Sequence, residues 1–181
     1  EKSLPLINLV RRYHDHKVVG SQNIPKTGKV LVVLNHSLAT YDMILLFAAI
    51  YEKTKRFTRP LADRLFFKIP FLGEVSQYLG ALEGSQENAR RLLRQNEMVA
   101  VAPGGMKEAL RPSQERYRIL WEKRKGFVRL AIEEQVPVLL AMCPKADDIF
   151  DVYPNSITEK VYEKIKVPIF FIRGSGPTLI P

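Results

Sequence analysis

The stretch KVLVVLNHSLATYDMILLFAAIY, residues 29–51, decides how the chain folds. Val30–Leu34 is unbroken apolar sequence rich in β-branched residues, which suits a strand covered on both faces. The run stops at Asn35 and His36. Six residues beyond His36 stands Asp42, and a helix is predicted from residue 43 to about residue 53. A histidine closing a buried strand, with a carboxylate just downstream, has two readings. In one, His36 ends a strand and Asp42 N-caps the next helix. In the other, His36 is a general base whose second ring nitrogen is held by Asp42. On a straight helix, residues six apart stand about 240° round the axis. The second reading therefore requires residues 37–41 to turn.

Working outward, the same apolar pattern recurs in EMVAVAP (97–103), VPVLLAM (136–142) and VPIFFIRG (167–174). Each reads as a buried strand. Helices are predicted for LPLINLVRRYH (4–14), for QENARRLLRQ (86–95) behind a capping Ser85, and for KRKGFVRLAIEEQ (123–135). HKVVGSQNIPKTG (16–28) reads as a short strand and a connector broken by Gly20, Pro25 and Gly28. Residues 56–82 mix aromatic and basic side chains around a helix and a short strand. Strands alternating with helices imply an α/β sandwich, its central sheet mixed or largely parallel and flanked by helices. Residues 1–181 are expected to form a single domain, with residues 1–17 an N-terminal amphipathic helix and connector that lies on the domain or on a membrane.

Bulk properties narrow the partners. The chain has 181 residues, 46% hydrophobic and 26% charged, which is globular composition. Its formal charge of +9 favours nucleic acid, anionic lipid or a phosphate-bearing ligand. The basic residues are interspersed with acidic ones such as Glu133 and Glu134, and no nucleic-acid motif is present, so nucleic acid is the weakest of the three. The single cysteine, Cys143, excludes an internal disulfide and points to a reducing compartment. No run approaches the ~20 apolar residues of a spanning helix, and no signal-peptide pattern opens the chain. Its first residue is Glu1 rather than Met, which leaves room for a membrane anchor outside this chain.

Ligands of open α/β sheets gather at the carboxyl ends of strands. Three features are expected there: His36, Gly80-Ala81-Leu82, and Pro103-Gly104-Gly105. Paired glycines after a strand let backbone N–H groups face an oxyanion or a phosphate, although they also serve an ordinary tight turn. Glu108 could accept a hydrogen bond from an alcohol or orient a neighbour. The Gly-Lys-Ser/Thr ending of a phosphate-binding Walker loop is absent. His14 and His16 fall short of a zinc site, and no metal is expected. Arg59, Arg64 and Lys68 are candidates for binding a phosphate. Lys125, in the basic stretch 116–129, is a candidate for the donor's phosphates. Arg90, Arg91 and Arg94 share one helix and read as a solvated face.

NHSLATYD, GALEGS, APGGMKEAL and VPVLLA follow one another in the order of the four blocks of the glycerolipid acyltransferase superfamily. The lead-in GSQNIPKTGKVLVVLNH is similar as well. RKGFVRLAI (124–132) resembles the branch of diacylglycerol acyltransferase 2 and transmembrane-protein-68-like enzymes. The resemblance covers roughly residues 18–142. The chain departs from the commonest form in three places. Five residues separate His36 from Asp42, where the commonest block has four. Gly84 stands where phospholipid enzymes carry an arginine. Pro103-Gly104-Gly105 replaces Pro-Glu-Gly.

The resemblance implies acyl transfer. His36 would take the proton of a lipid hydroxyl, and Asp42 would hold the imidazole. Gly104 and Gly105 would face the tetrahedral oxyanion, and Glu108 the acceptor. Acyl-CoA or acyl carrier protein would be the co-substrate, with no permanently bound cofactor and no metal. Losing the arginine at Gly84 and the block-three glutamate favours a neutral acceptor, such as a mono- or diacylglycerol or another long-chain alcohol. A lysophosphatidate or glycerol-phosphate acceptor is the alternative within the family. A non-catalytic lipid-surface domain is the alternative outside it. The expected location is the cytoplasmic face of a membrane, held peripherally or by a segment outside this chain.

Overall fold

The computed structural model describes residues 3–36, 41–143, 151–152 and 172–173. The core is a five-stranded sheet built from β1 (Val30–Leu34), β2 (Thr58–Ala62), β3 (Leu82–Glu83), β4 (Met98–Val101) and β5 (Val138–Ala141). Its order is β3-β2-β4-β1-β5 and every pairing is parallel. All five residues of β1 are buried, as a strand sandwiched between two helical layers must be.

Successive side chains of β1 and β4 divide between two cores. Val30, Val32, Leu34, Met98 and Ala100 pack with Met43 and Ile50 of α2 (Tyr41–Thr54). Leu31, Val33 and Val99 pack on the other face. There they meet Ala89, Leu92 and Leu93 of α5 (Gln86–Arg94) and Leu130 of α7 (Gly126–Glu133). The arginines expected on a solvated face of α5 partly tie these two helices together. Arg94 Nη2 donates to Glu134 Oε1 at 2.8 Å, and Arg90 pairs with Glu133.

Local chemistry explains the helix ends. Ser85 Oγ caps α5 by accepting from the Asn88 N–H at 3.0 Å, as predicted. Lys55, at φ +60°, ends α2 in the left-handed region. The N-terminal helix α1 (Leu4–Tyr13) forms where its periodicity predicts and docks on α2, with Arg11 Nη1 2.5 Å from Glu52 Oε2.

Several expectations need correction. No strand forms within HKVVG: Val19 is 96% exposed and residues 16–18 are irregular. Two β-branched residues beside a glycine give too little apolar surface to pair with the sheet. Residues 56–82 hold more than a helix and a strand. They form β2, α3 (Arg64–Lys68), α4 (Leu72–Tyr78) and the start of β3. The expected buried strand at 136–142 becomes β5, which is at the sheet's edge among the described residues, and its Leu140 is 66% exposed. Of residues 167–174, only β7 (Ile172–Arg173) is described, pairing antiparallel with β6 (Asp151–Val152). The remainder lies outside the described residues. Among the described residues no helix is long and apolar enough to cross a membrane.

Candidate active site

His36 stands two residues past the end of β1, an inner strand of the sheet. Asn35, between them, is fixed from both sides. Its Nδ2 donates to the Cys143 carbonyl at 3.2 Å, and its Oδ1 accepts from the Cys143 N–H at 2.9 Å. This amide carries the β1–β5 ladder past the last paired residues and sets where His36 begins. Cys143 is half-buried.

Asp42 does not stand at the N-cap position of α2. The helix starts at Tyr41, so Asp42 lies inside its first turn, buried. A carboxylate there is favoured by the partial positive charge of the helix N-terminus. The turn that His36 and Asp42 need falls on residues 37–40, outside the described residues. His16 comes into the same neighbourhood. Burial holds its imidazole below the usual value, with Arg11 acting the same way, while the Asp42 charge opposes them. Arg11 Nε donates to His16 Nδ1 at 3.3 Å.

His36 opens onto a cavity of about 890 Å³ on the α2 side of the sheet. The volume is near the upper end for small-molecule sites. Its walls are largely apolar: Met43, Ile44, Phe47 and Ala48 of α2, the whole of β2, Phe66 of α3, and Leu4 and Ile7 of α1. Tyr51 and Phe57, with ring centroids 4.6 Å apart, line it near the C-terminal end of α2. The cavity therefore follows β2 along its length, from the carboxyl edge of the sheet at His36 toward the opposite edge.

Gly105 and Met106, at the start of α6 (Gly105–Ala109), line the cavity near His36. The Gly105 amide donates to the Ala102 carbonyl at 3.0 Å, so it is engaged in the turn. Gly104 is buried behind that wall. Glu108, expected to face the acceptor, turns the other way. It is 0% exposed and absent from the lining. Its carboxylate fills the space beneath Gly104, and a Cβ built there would overlap Glu108 Oε2. Only a glycine leaves that slot open.

Arg111 Nη1 lies 3.6 Å from Glu108 Oε1 and donates to the Glu108 carbonyl at 2.9 Å and to the His36 carbonyl at 3.1 Å. Burial pushes the Glu108 carboxyl above its ordinary value, against the charge of Arg111 and the N–H groups of His36, Leu120 and Trp121. Neither carboxylate oxygen has a partner in full hydrogen-bond geometry. Arg124 Nη1 donates to the carbonyls of Pro103, at 3.2 Å, and Gly104.

The basic candidates separate. Arg59 lines the cavity, 4.0 Å from Glu97. Arg64 pairs with Glu83 at 2.5 Å, and neither it nor Lys68 reaches the cavity wall. Lys125 is exposed at the start of α7, next to Arg124. Gly80-Ala81 precedes β3 rather than ending a strand, although both residues line the cavity. Gly84 follows β3 and lines it too. A Cβ on Gly84 would stand 3.1 Å from the Ala62 carbonyl oxygen. Sequence reading passed over Arg111 and Trp121, and took Arg124 only as part of the basic stretch 116–129. Of the two passed over, only Arg111 had a signal, its position three residues after Glu108 where a helix brings side chains together. Among the described residues no cluster of His, Cys, Asp or Glu could hold a metal ion.

Comparison with known proteins extends this geometry. The family model described as Acyltransferase matches residues 15–142. The chain is similar to the Gallus gallus protein named DGAT1/2-independent enzyme synthesizing storage lipids, 32% identical over 168 residues, which are 92% of this chain and 50% of that protein. The Homo sapiens protein of the same name is 31% identical over 166 residues, 91% of this chain and 51% of its own. An uncharacterized protein of Mycobacterium tuberculosis is 31% identical over 137 residues, 74% of this chain and 38% of its own. The chain spans about half the length of the animal relatives it matches. No solved structure matches it significantly.

Proposed function

The chain belongs to the acyltransferase family, and we propose that it moves a fatty acyl group from an acyl thioester to the hydroxyl of a neutral lipid. The observation that carries this reading is a histidine at the carboxyl edge of a parallel sheet, opening onto a long apolar cavity. The animal relatives are named for storage-lipid synthesis, which agrees with a neutral product.

In the proposed reaction one ring nitrogen of His36 takes the proton of the acceptor hydroxyl. The oxygen attacks the thioester carbonyl, and a C–O bond forms as the carbonyl oxygen gains charge. Collapse of the tetrahedral intermediate breaks the C–S bond, and the thiolate leaves with the proton returned by the imidazolium. The products are an ester and a free thiol. Asp42 holds the ring and balances its charge while protonated. The Gly104-Gly105 turn is the candidate for facing the oxyanion, a role in which the Gly105 N–H would have to exchange its bond to the Ala102 carbonyl for one to the substrate. The proposed co-substrate is acyl-CoA or acyl carrier protein. Exposed Lys125 is the candidate for its phosphates, and no resident cofactor is needed.

The placement of charge supports a neutral acceptor. Arg59 is the sole Lys or Arg among the described cavity-lining residues. By strand register it is level with Val99 of β4 and hence with Leu31 of β1, five residues from His36. At about 3.3 Å per residue this is roughly 16 Å along the sheet. A lysophosphatidate carries its phosphate only a few bonds from the free hydroxyl. Asp63, immediately after β2, lines the cavity at the His36 edge and opposes an anion there.

The test is thiol release from palmitoyl-CoA in detergent micelles, with monoacylglycerol and lysophosphatidate as parallel acceptors. Release with monoacylglycerol, lost in a folded His36→Ala variant, is the expected result. Release with lysophosphatidate alone overturns the acceptor, and full activity of His36→Ala overturns the mechanism.

A further inference from the structure

We propose that the buried Arg111–Glu108 pair is a positioning device that holds the main chain at His36 and the glycine turn in one fixed relation. The proposal rests on the reading of His36 as the general base.

Neither side chain can act on substrate directly. Glu108 is fully buried, the Arg111 side chain is 5% exposed, and neither lines the cavity. Each touches what does. Arg111 reaches back 75 residues to the His36 carbonyl, while the same nitrogen donates to the Glu108 carbonyl three residues before it. One planar, always-charged group thus joins the end of β1 to α6. Both bonds and the approach to the Glu108 carboxylate come from the single nitrogen Nη1, which a lysine ammonium on its shorter, more flexible stem would not hold in the same place. The Glu108 carboxylate lies under Gly104, and the next residue, Gly105, shares the cavity wall with His36.

Packing alone does not account for this arrangement. Removing two charges from water is costly, and an apolar pair of similar volume is often neutral or stabilising in its place. Here the carboxylate does not even gain good hydrogen bonds in return. The pair does hold two backbone segments together at the one edge of the sheet where His36 meets the cavity. A displacement of about 1 Å at a reacting group can cost about 100-fold in rate.

The experiment is thiol release from palmitoyl-CoA with monoacylglycerol, with kcat and KM measured separately alongside urea unfolding. The double variant Arg111→Met/Glu108→Gln is uncharged and near-isosteric, so no lone buried charge is left behind. It is expected to unfold cooperatively, to lose about 100-fold in kcat and to keep KM within about threefold. Arg111→Lys keeps a positive charge opposite Glu108 and is expected to recover part of the lost kcat. Wild-type kcat in either folded variant, or a loss confined to KM, overturns the proposal. If the double variant does not fold, Arg111→Lys decides alone, and undiminished kcat overturns it. His36→Ala runs in parallel. Its activity would remove the general-base reading. An inactive His36→Ala beside a fully active double variant would remove only the positioning role.

Discussion

The Glu108 carboxylate occupies the volume that a side chain at Gly104 would need. Gly104 has φ −65°, a conformation open to any residue, so its requirement for glycine is one of space and not of backbone. Gly28 is the opposite case: its φ is +77° and nothing lies within 4 Å of a Cβ built there. Gly28→Ala should cost about 1 kcal/mol from backbone strain and leave turnover unchanged. Gly104→Ala should cost about 1–3 kcal/mol by overpacking, and should lower kcat as Glu108 is displaced. Urea unfolding and thiol release on both variants check the contrast.

Asp42 sits where two effects of very different size meet. As an acidic residue in the first turn of α2 it contributes about 0.3–1 kcal/mol to stability. As the partner of His36 it would be worth far more in rate. Asp42→Asn is expected to drop kcat by about 10⁴-fold, the loss seen when a triad aspartate is made neutral. Its urea midpoint should move little. A stability change with kcat intact would instead support a role confined to the helix terminus.

The cavity wall offers a test of chain length. Ala48 lines the middle of α2 between Ile44 and Tyr51 and is almost fully buried. Ala48→Phe would place a ring across the path from His36 to the Tyr51–Phe57 end. For long-chain acyl thioesters kcat/KM should fall at least about tenfold, with short-chain donors spared. A uniform fall across chain lengths would mean that the acyl chain lies elsewhere.

Stability should carry the signature of Glu108. Its carboxyl is raised above the ordinary 4.5 by burial, with Arg111 the charged neighbour opposing that rise. The folded state therefore binds this proton more tightly than the unfolded chain does. This contribution to stability is present in full at low pH. It is lost as pH rises from about 4.5 through the raised native value. Glu108→Gln removes the titration. Its urea midpoint, measured relative to the unsubstituted protein, should rise with pH across that window. Parallel profiles for the two proteins would contradict the assignment.

Much of the fold was legible because the signals were local. An unbroken β-branched run such as Val30–Leu34 can be satisfied only between two apolar layers. Ser85 announced the start of α5 because a cap is a contact across three residues. The weak predictions lay where tertiary placement overrides composition. The run at 136–142 reads as a buried strand, but order within the sheet is not written in the run itself, and among the described residues β5 is at the edge. Residues 56–82 hid several short elements because none is long enough to establish a period.

The sequence by itself determined the α/β class, the family resemblance and the residue types at the site: a histidine ending a strand, a carboxylate six positions on, and paired glycines after another strand. Those follow from short-range periodicity and ordered motifs. Only the tertiary structure decided which charges meet. Glu108 turned inward because Gly104 leaves a slot and Arg111 lies behind it. Arg59 became a cavity residue far from His36 because register sets its level on the sheet. Burial and register arise from long-range packing, and neither is a property of the few residues on either side.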